Sequence, residues 1–229
     1  MNRIATVIKM HAKDKVMWHM SWFLILFPFL INVVIGSMLK LEEGYYSGGI
    51  SSIFIFLLIL GILTVTQNFP FAFGFGIRRT DYFIGTILMF ALSGIVIATI
   101  LLLLSLSESY ITGQFHVNFH YFHLPYINDG SLFEQWWFYF STAINLTTTG
   151  FAIAMIHRRY GRMGMFIFFP IILVFSLIFS YLCTYFGWWN TIWIWLSSHS
   201  AAQLATGLFS LAVIYSLFAF LMIRKTTAS

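Results

Sequence analysis

Six stretches of this chain run for about twenty residues each with almost no charge and no polar face: Trp22–Leu39, Ile50–Phe69, Tyr82–Leu106, Trp136–Ile156, Met165–Gly187 and Gln203–Ile223. About 20 predominantly apolar residues in a helix are what it takes to cross a bilayer's hydrocarbon layer. The runs are twice the length of a barrel strand and lack its alternation, which sets a membrane barrel aside. Composition agrees: of 229 residues, 60% are hydrophobic and 8% charged, where a soluble domain carries about a quarter charged. The expectation is an all-α integral membrane protein, with residues 1–229 forming a single transmembrane domain of six helices.

Charge gives the orientation. With the N-terminus in the cytoplasm, Arg3, Lys9, Lys13, Lys15, Arg78, Arg79, Arg158, Arg159, Arg162, Arg224 and Lys225 all fall inside, and only Lys40 outside. Five of the seven acids, Glu42, Glu43, Glu108, Asp129 and Glu134, fall outside. That is the positive-inside pattern, and adding or losing one span would destroy it. Both termini are therefore expected in the cytoplasm. Trp136, Trp137, Trp188, Trp189, Trp193 and Trp195 lie at expected outer boundaries, and Trp18 and Trp22 at the inner one, where an indole is best solvated.

The start of the chain is basic and then apolar, like a signal peptide. No small-residue cleavage site follows Trp22 and the run is long enough to span, so it reads as an uncleaved first span. Residues 1–20 mix Ile4, Val7, Ile8 and Val16 with four basic residues. This pattern suits an amphipathic helix on the cytoplasmic leaflet, or a basic tail that only sets orientation. Pro28 and Asn32 in the first span and Pro170 in the fifth suggest kinks, which neighbouring helices can accommodate.

The outer connection around Ser107–Gln135 holds His116, His120 and His123 at i, i+4 and i+7, beside Phe115, Phe119 and Phe122. On a helix these form a histidine stripe next to an aromatic one. One reading is an interfacial helix; the other is a metal site, since histidines one turn apart can share an ion. No cysteine or carboxylate completes a ligand set, so no metal is assigned. The single cysteine, Cys183, excludes an internal disulfide.

No span carries Asp, Glu, Lys or Arg away from its ends. Intramembrane charge marks most ion and proton pathways, so transport driven by a proton gradient is not expected. There is no HExxH, GxSxG or P-loop pattern, and "SSHS" at Ser197–Ser200 reads as a polar loop. The chain is not expected to be an enzyme or to bind a cofactor or nucleic acid. The uncharged polar residues Gln67, Asn68, Asn145, Thr147, Thr148 and Thr149 fit either interhelical hydrogen bonding or a weakly polar substrate path. Arg78-Arg79 and Arg158-Arg159 recur 80 residues apart, with Phe71-Ala72 and Phe151-Ala152 at the same offset. That is compatible with a duplicated three-span unit.

One cytoplasmic connection stands out: "FGFGIRRTDYFIGT", Phe73 to Thr86. With the basic N-terminal helix and six spans, it resembles the ABC-2-type permease subunits of bacterial ABC transporters, small Gram-positive type. The aromatic–Gly–x–x–Arg–Arg–x–x–aromatic–x–Gly–Thr pattern is carried by Phe75, Gly76, Arg78, Arg79, Tyr82 or Phe83, Gly85 and Thr86. The resemblance implies a bacterial plasma-membrane permease that pairs with a second permease and with separate ATPase subunits, which bind ATP and Mg. It implies export or extraction of an amphiphilic peptide, lipid or drug-like substrate. The chain departs from the pattern in having no large outer domain.

The expected ATPase-coupling residues are Phe75, Gly76, Arg78, Arg79, Asp81 and Tyr82, with Gly74 and Gly76 allowing a turn or close approach and exposed rings anchoring the partner. Topology and headgroup contact alone would also place arginines here. Two other readings stand beside it: a non-transporting immunity or assembly factor, and a membrane-embedded lipid-modifying enzyme using the outer histidines.

Overall fold

The computed structural model describes residues 3–14, 20–39, 45–46, 50–115, 119–122 and 130–224. Its helices are α1 (Arg3–Ala12), α2 (Ser21–Leu39), α3 (Ser51–Leu63), α4 (Phe69–Gly74), α5 (Arg79–Phe115), α6 (Leu132–Tyr185), α7 (Trp188–Ser198) and α8 (Ala201–Arg224). A five-residue π turn, Thr64–Asn68, joins α3 to α4. The extended pairing among the described residues is a two-residue parallel ladder, β1 (Tyr45–Tyr46) with β2 (Phe119–His120). Among the described residues, four helices are long and apolar enough to cross a membrane: Ser51–Gly74 through the π turn, Arg79–Glu108 within α5, α6, and α8. The protein is a multi-pass helical membrane protein.

The stretch α6 is not one straight helix: it holds the expected run Trp136–Ile156 before a break and all but the last two residues of Met165–Gly187 after it. It is broken at Gly161, whose φ of 65° and ψ of −160° are not helical. The α2 helix covers the first expected run and contains Pro28; the Asn32 side-chain amide donates to the Pro28 carbonyl at 2.8 Å, tying the turn across the proline.

Small residues bring the helices of the bundle together, as they do where lipid removes the usual hydrophobic drive between helices. Gly61 of α3 and Gly150 of α6 cross backbone to backbone. A Cβ at Gly61 would sit 2.1 Å from the Thr147 carbonyl oxygen, and one at Gly150 2.0 Å from that of Leu58. On α8, Ala205, Ala212 and Ala219 are buried at a spacing of seven, and Asn145 of α6 donates to the Leu208 carbonyl at 2.9 Å. Beyond Gly161 the pattern reverses. Phe166, Phe175 and Trp193 are 74%, 72% and 68% exposed, and Cys183 is the one buried residue between 162 and 198.

The α1 helix is shorter than the expected one. It ends at Ala12, not near Met20, and it packs on protein. Val7 is fully buried against α5, where Gly85 makes room: a Cβ there would lie 2.7 Å from the Val7 Cβ. Lys9 and Lys13 stay exposed on the other side.

Candidate functional site

The stretch Phe69–Arg78 is a helix end of a definite kind. Pro70 stands at the start of α4; it has no N–H to give and its ring crowds the carbonyl four residues back. The helix widens into the π turn immediately before it. Six residues later the helix stops. Gly76 has φ of 69°, and its N–H donates to Phe73 O at 2.9 Å while Ile77 N–H reaches back to Ala72 O at 3.3 Å. This pair of closing bonds around a left-handed glycine is a Schellman cap. The apolar contact that goes with it is present, since Ile77 and Ala72 are both buried in one cluster. Open space surrounds the Cβ positions of Gly74 and Gly76, so the glycine at 76 serves a turn and not a close approach.

Outside this cap lies an aromatic and basic face. Phe71 and Phe75 are 56% and 70% exposed, with ring centroids 4.7 Å apart, edge to face. Arg78, two residues past the capping glycine, is exposed as well. The neighbouring arginine is used differently: Arg79 donates to the Arg224 carbonyl at the end of α8, 3.1 Å away, where a cation complements the helix dipole. Arg158 stacks over the Phe69 ring at 5.0 Å, and Arg159 reaches Met222 Sδ at 3.3 Å. Asp81 makes no ion pair with either arginine among the described residues; it lies in the first turn of α5, where a carboxylate is favoured.

Tyr82 corrects an expectation. It is fully buried and unavailable to a partner, because α1 and the π turn close over it. Its Oη donates to the Thr64 carbonyl at 2.7 Å, and its ring meets Phe69 edge to face at 5.3 Å.

The same place holds a polar knot that joins three elements. Asn68 Nδ2 lies 3.1 Å from His11 Nδ1 and donates to Asp14 Oδ2 at 3.3 Å. The carboxylate fixes which way the amide points, since a flipped Asn68 would set oxygen against oxygen. His11 Nδ1 must then accept, so its proton is on Nε2 and donates to Thr86 Oγ1, 3.1 Å away. His11 is therefore neutral. Burial holds its imidazole down to about 4 from 6.5, against the raising effect of Asp14.

Of the residues expected to line a path, all but Gln67 make hydrogen bonds within the protein. Gln67 is exposed and Asn68 belongs to the knot. Asn145 bonds α8. Thr147, Thr148 and Thr149 bond back to Ala143, Ile144 and Asn145 carbonyls of their own helix at 2.8, 2.7 and 2.7 Å.

At the opposite end of the bundle, Glu108 is buried and its two oxygens accept from the N–H groups of Tyr121 and Phe122. Tyr139 Oη donates to Phe122 O at 3.2 Å, and Phe29 of α2 packs on the Tyr121 and Phe122 rings. His120 lies in β2 and not on a helix, so the expected helical stripe does not extend to it. His116 and His123 fall outside the described residues. Among the described residues no three metal-ligating side chains converge.

Sequence reasoning missed His11; it had Thr86 only as the end of the Gly–Thr pattern and Glu108 only as an outer charge. His11 had a signal: it extends the apolar series Ile4, Val7 at helical spacing. Pro70 was a signal for the π turn. No family model matches the chain, and no curated protein or solved structure is significantly similar to it.

Proposed function

We propose that the chain is the membrane-spanning permease subunit of an ATP-driven ABC transporter of the bacterial plasma membrane. A separate ATPase binds at the turn Phe71–Arg78, holds ATP and Mg, and supplies the energy. A second permease completes the unit. The substrate class is an amphiphile, a peptide, lipid or drug-like molecule, exported or extracted from the leaflet. In this reading α2, α3–α4, α5, the two halves of α6 on either side of Gly161, and α8 are six spans. Both termini and the arginines lie in the cytoplasm.

The observation that carries the reading is the pairing of exposed Phe71 and Phe75 with exposed Arg78 on a capped, buried-flank helix end. An element that receives force from a partner must be stiff, and large aromatic rings and arginine are the residue types that anchor partners. Missing intramembrane charge points the same way, because the energy must then enter from outside the membrane.

The test is co-expression with the ATPase encoded beside this chain, followed by co-purification and ATP turnover. The reading expects a stable complex whose turnover depends on the permease. A neighbouring ATPase that neither co-purifies nor changes its turnover would overturn it.

A further inference from the structure

The π turn Thr64–Asn68 joins a locked stretch of α3 to the short capped helix α4. Three residues before it, Gly61 locks α3 against α6 with no room for a methyl group. After it comes the short α4 and the turn at Gly76. A π turn is one residue wider than α, and such turns occur mostly as isolated single turns, frequently at functional sites. Passing that residue through the turn would rotate α4 by about 100° and shift it by about 1.5 Å.

Both ends of the turn are held by side chains from outside its own helix. Tyr82 on α5 takes the carbonyl of Thr64, the first residue. His11 and Asp14 take the amide of Asn68, the last. Thr66 and Gln67 between them are exposed. These are single hydrogen bonds to neighbouring elements, individually modest and reversible. The same two elements meet next to the turn, since His11 also bonds Thr86 of α5.

We infer that Thr64–Asn68 is a two-state hinge, π while Tyr82 and His11 hold its ends and α when they release, and that the change re-aims α4 and the Phe71–Arg78 turn. It is the regulatory joint of the docking site proposed above and rests on that reading for what drives it. The hinge itself is a property of this chain alone.

The test uses the full chain purified in lipid nanodiscs without any ATPase. Deleting Gln67 removes the surplus residue of the turn and leaves a continuous α-helix with its flanks in register. The melting temperature should stay within about 4 °C of wild type, and amide exchange across 64–74 should slow. Deleting Ile59, exposed in α3, turns Gly61 away from α6 and should destabilise far more. Tyr82→Phe and His11→Gln should each speed exchange at 64–68 by about fivefold or more. The hinge is wrong if deletion of Gln67 destabilises as much as deletion of Ile59, or if both substitutions leave exchange at 64–74 unchanged. Because no ATPase is present, that failure would leave the docking proposal standing, and failed docking would leave the hinge standing.

Discussion

Gly76 and Gly161 have nearly the same backbone angle, φ of 69° and 65°, and each lies within three residues of an arginine pair. Neither has anything within 4 Å of a Cβ position. Their surroundings differ. After Gly76 come a closed cap, buried Ile77 and buried Tyr82. After Gly161 come exposed Arg162 and Met163, the latter 76% exposed, and a helix exposed along its length. Glycine makes either turn possible; hydrogen bonds and a buried flank are what make the first one fixed. A turn of the first kind can carry force, and one of the second kind is a joint.

That contrast breaks first at the anchor of the fixed side. Gly150→Ala puts a methyl against the Leu58 carbonyl and must separate α3 from α6. The expected loss is more than about 3 kcal/mol, read as a fall of about 10 °C in melting temperature. Gly207→Ala, into open space on α8, should be neutral or stabilise by less than about 1 kcal/mol.

Acid should weaken the clamp next. Undocked, His11 takes a proton below about 6.5; docked, it stays neutral down to about 4. The docking of α1 is therefore at full strength above pH 6.5, weakens as pH falls from 6.5 to 4, and changes no further below. The whole effect is on the order of 3 kcal/mol. A spin label at Ala5→Cys, in a Cys183→Ser background, should gain mobility over that range, and His11→Gln should remove the dependence.

Smaller effects are expected at single turn residues. Tyr82→Phe should cost about 1–2 kcal/mol, because the Thr64 carbonyl loses its donor in a buried place. Gly76→Ala should cost about 1–2 kcal/mol from the left-handed angle of a closed cap, and Gly161→Ala about 1–3 kcal/mol, because φ of 65° with ψ of −160° is a region that essentially only glycine adopts. Only Gly76→Ala should also lower ATP turnover in a complex with the ATPase; equal effects on turnover would erase the distinction between the two turns.

The long helices were legible because an apolar run of twenty residues has one inexpensive conformation in lipid. At Gly76 the sequence left a turn and a close approach both open, and the closing hydrogen bonds and open space there decide for the turn. What escaped depended on distant partners. Tyr82 at a span boundary reads as an interfacial ring, and only the docking of α1 makes it buried. Glu108 at the end of an apolar run reads as a solvated loop charge, until Tyr121 and Phe122 fold back onto it from thirteen and fourteen residues away. The two arginines of one pair have the same local sequence signal, yet Arg79 caps α8 while Arg78 stays exposed.

The central claim is that a partner takes hold at the fixed turn and not along the exposed helix beyond the joint. The direct measurement places a photo-cross-linking residue at position 75 or, for comparison, at position 166, both exposed by 70% or more. Each variant is then irradiated with the co-expressed ATPase in membranes. Cross-linking of the ATPase from position 75 and none from position 166 is the predicted result. An adduct with the ATPase from 166 alone, or from neither position, would contradict it.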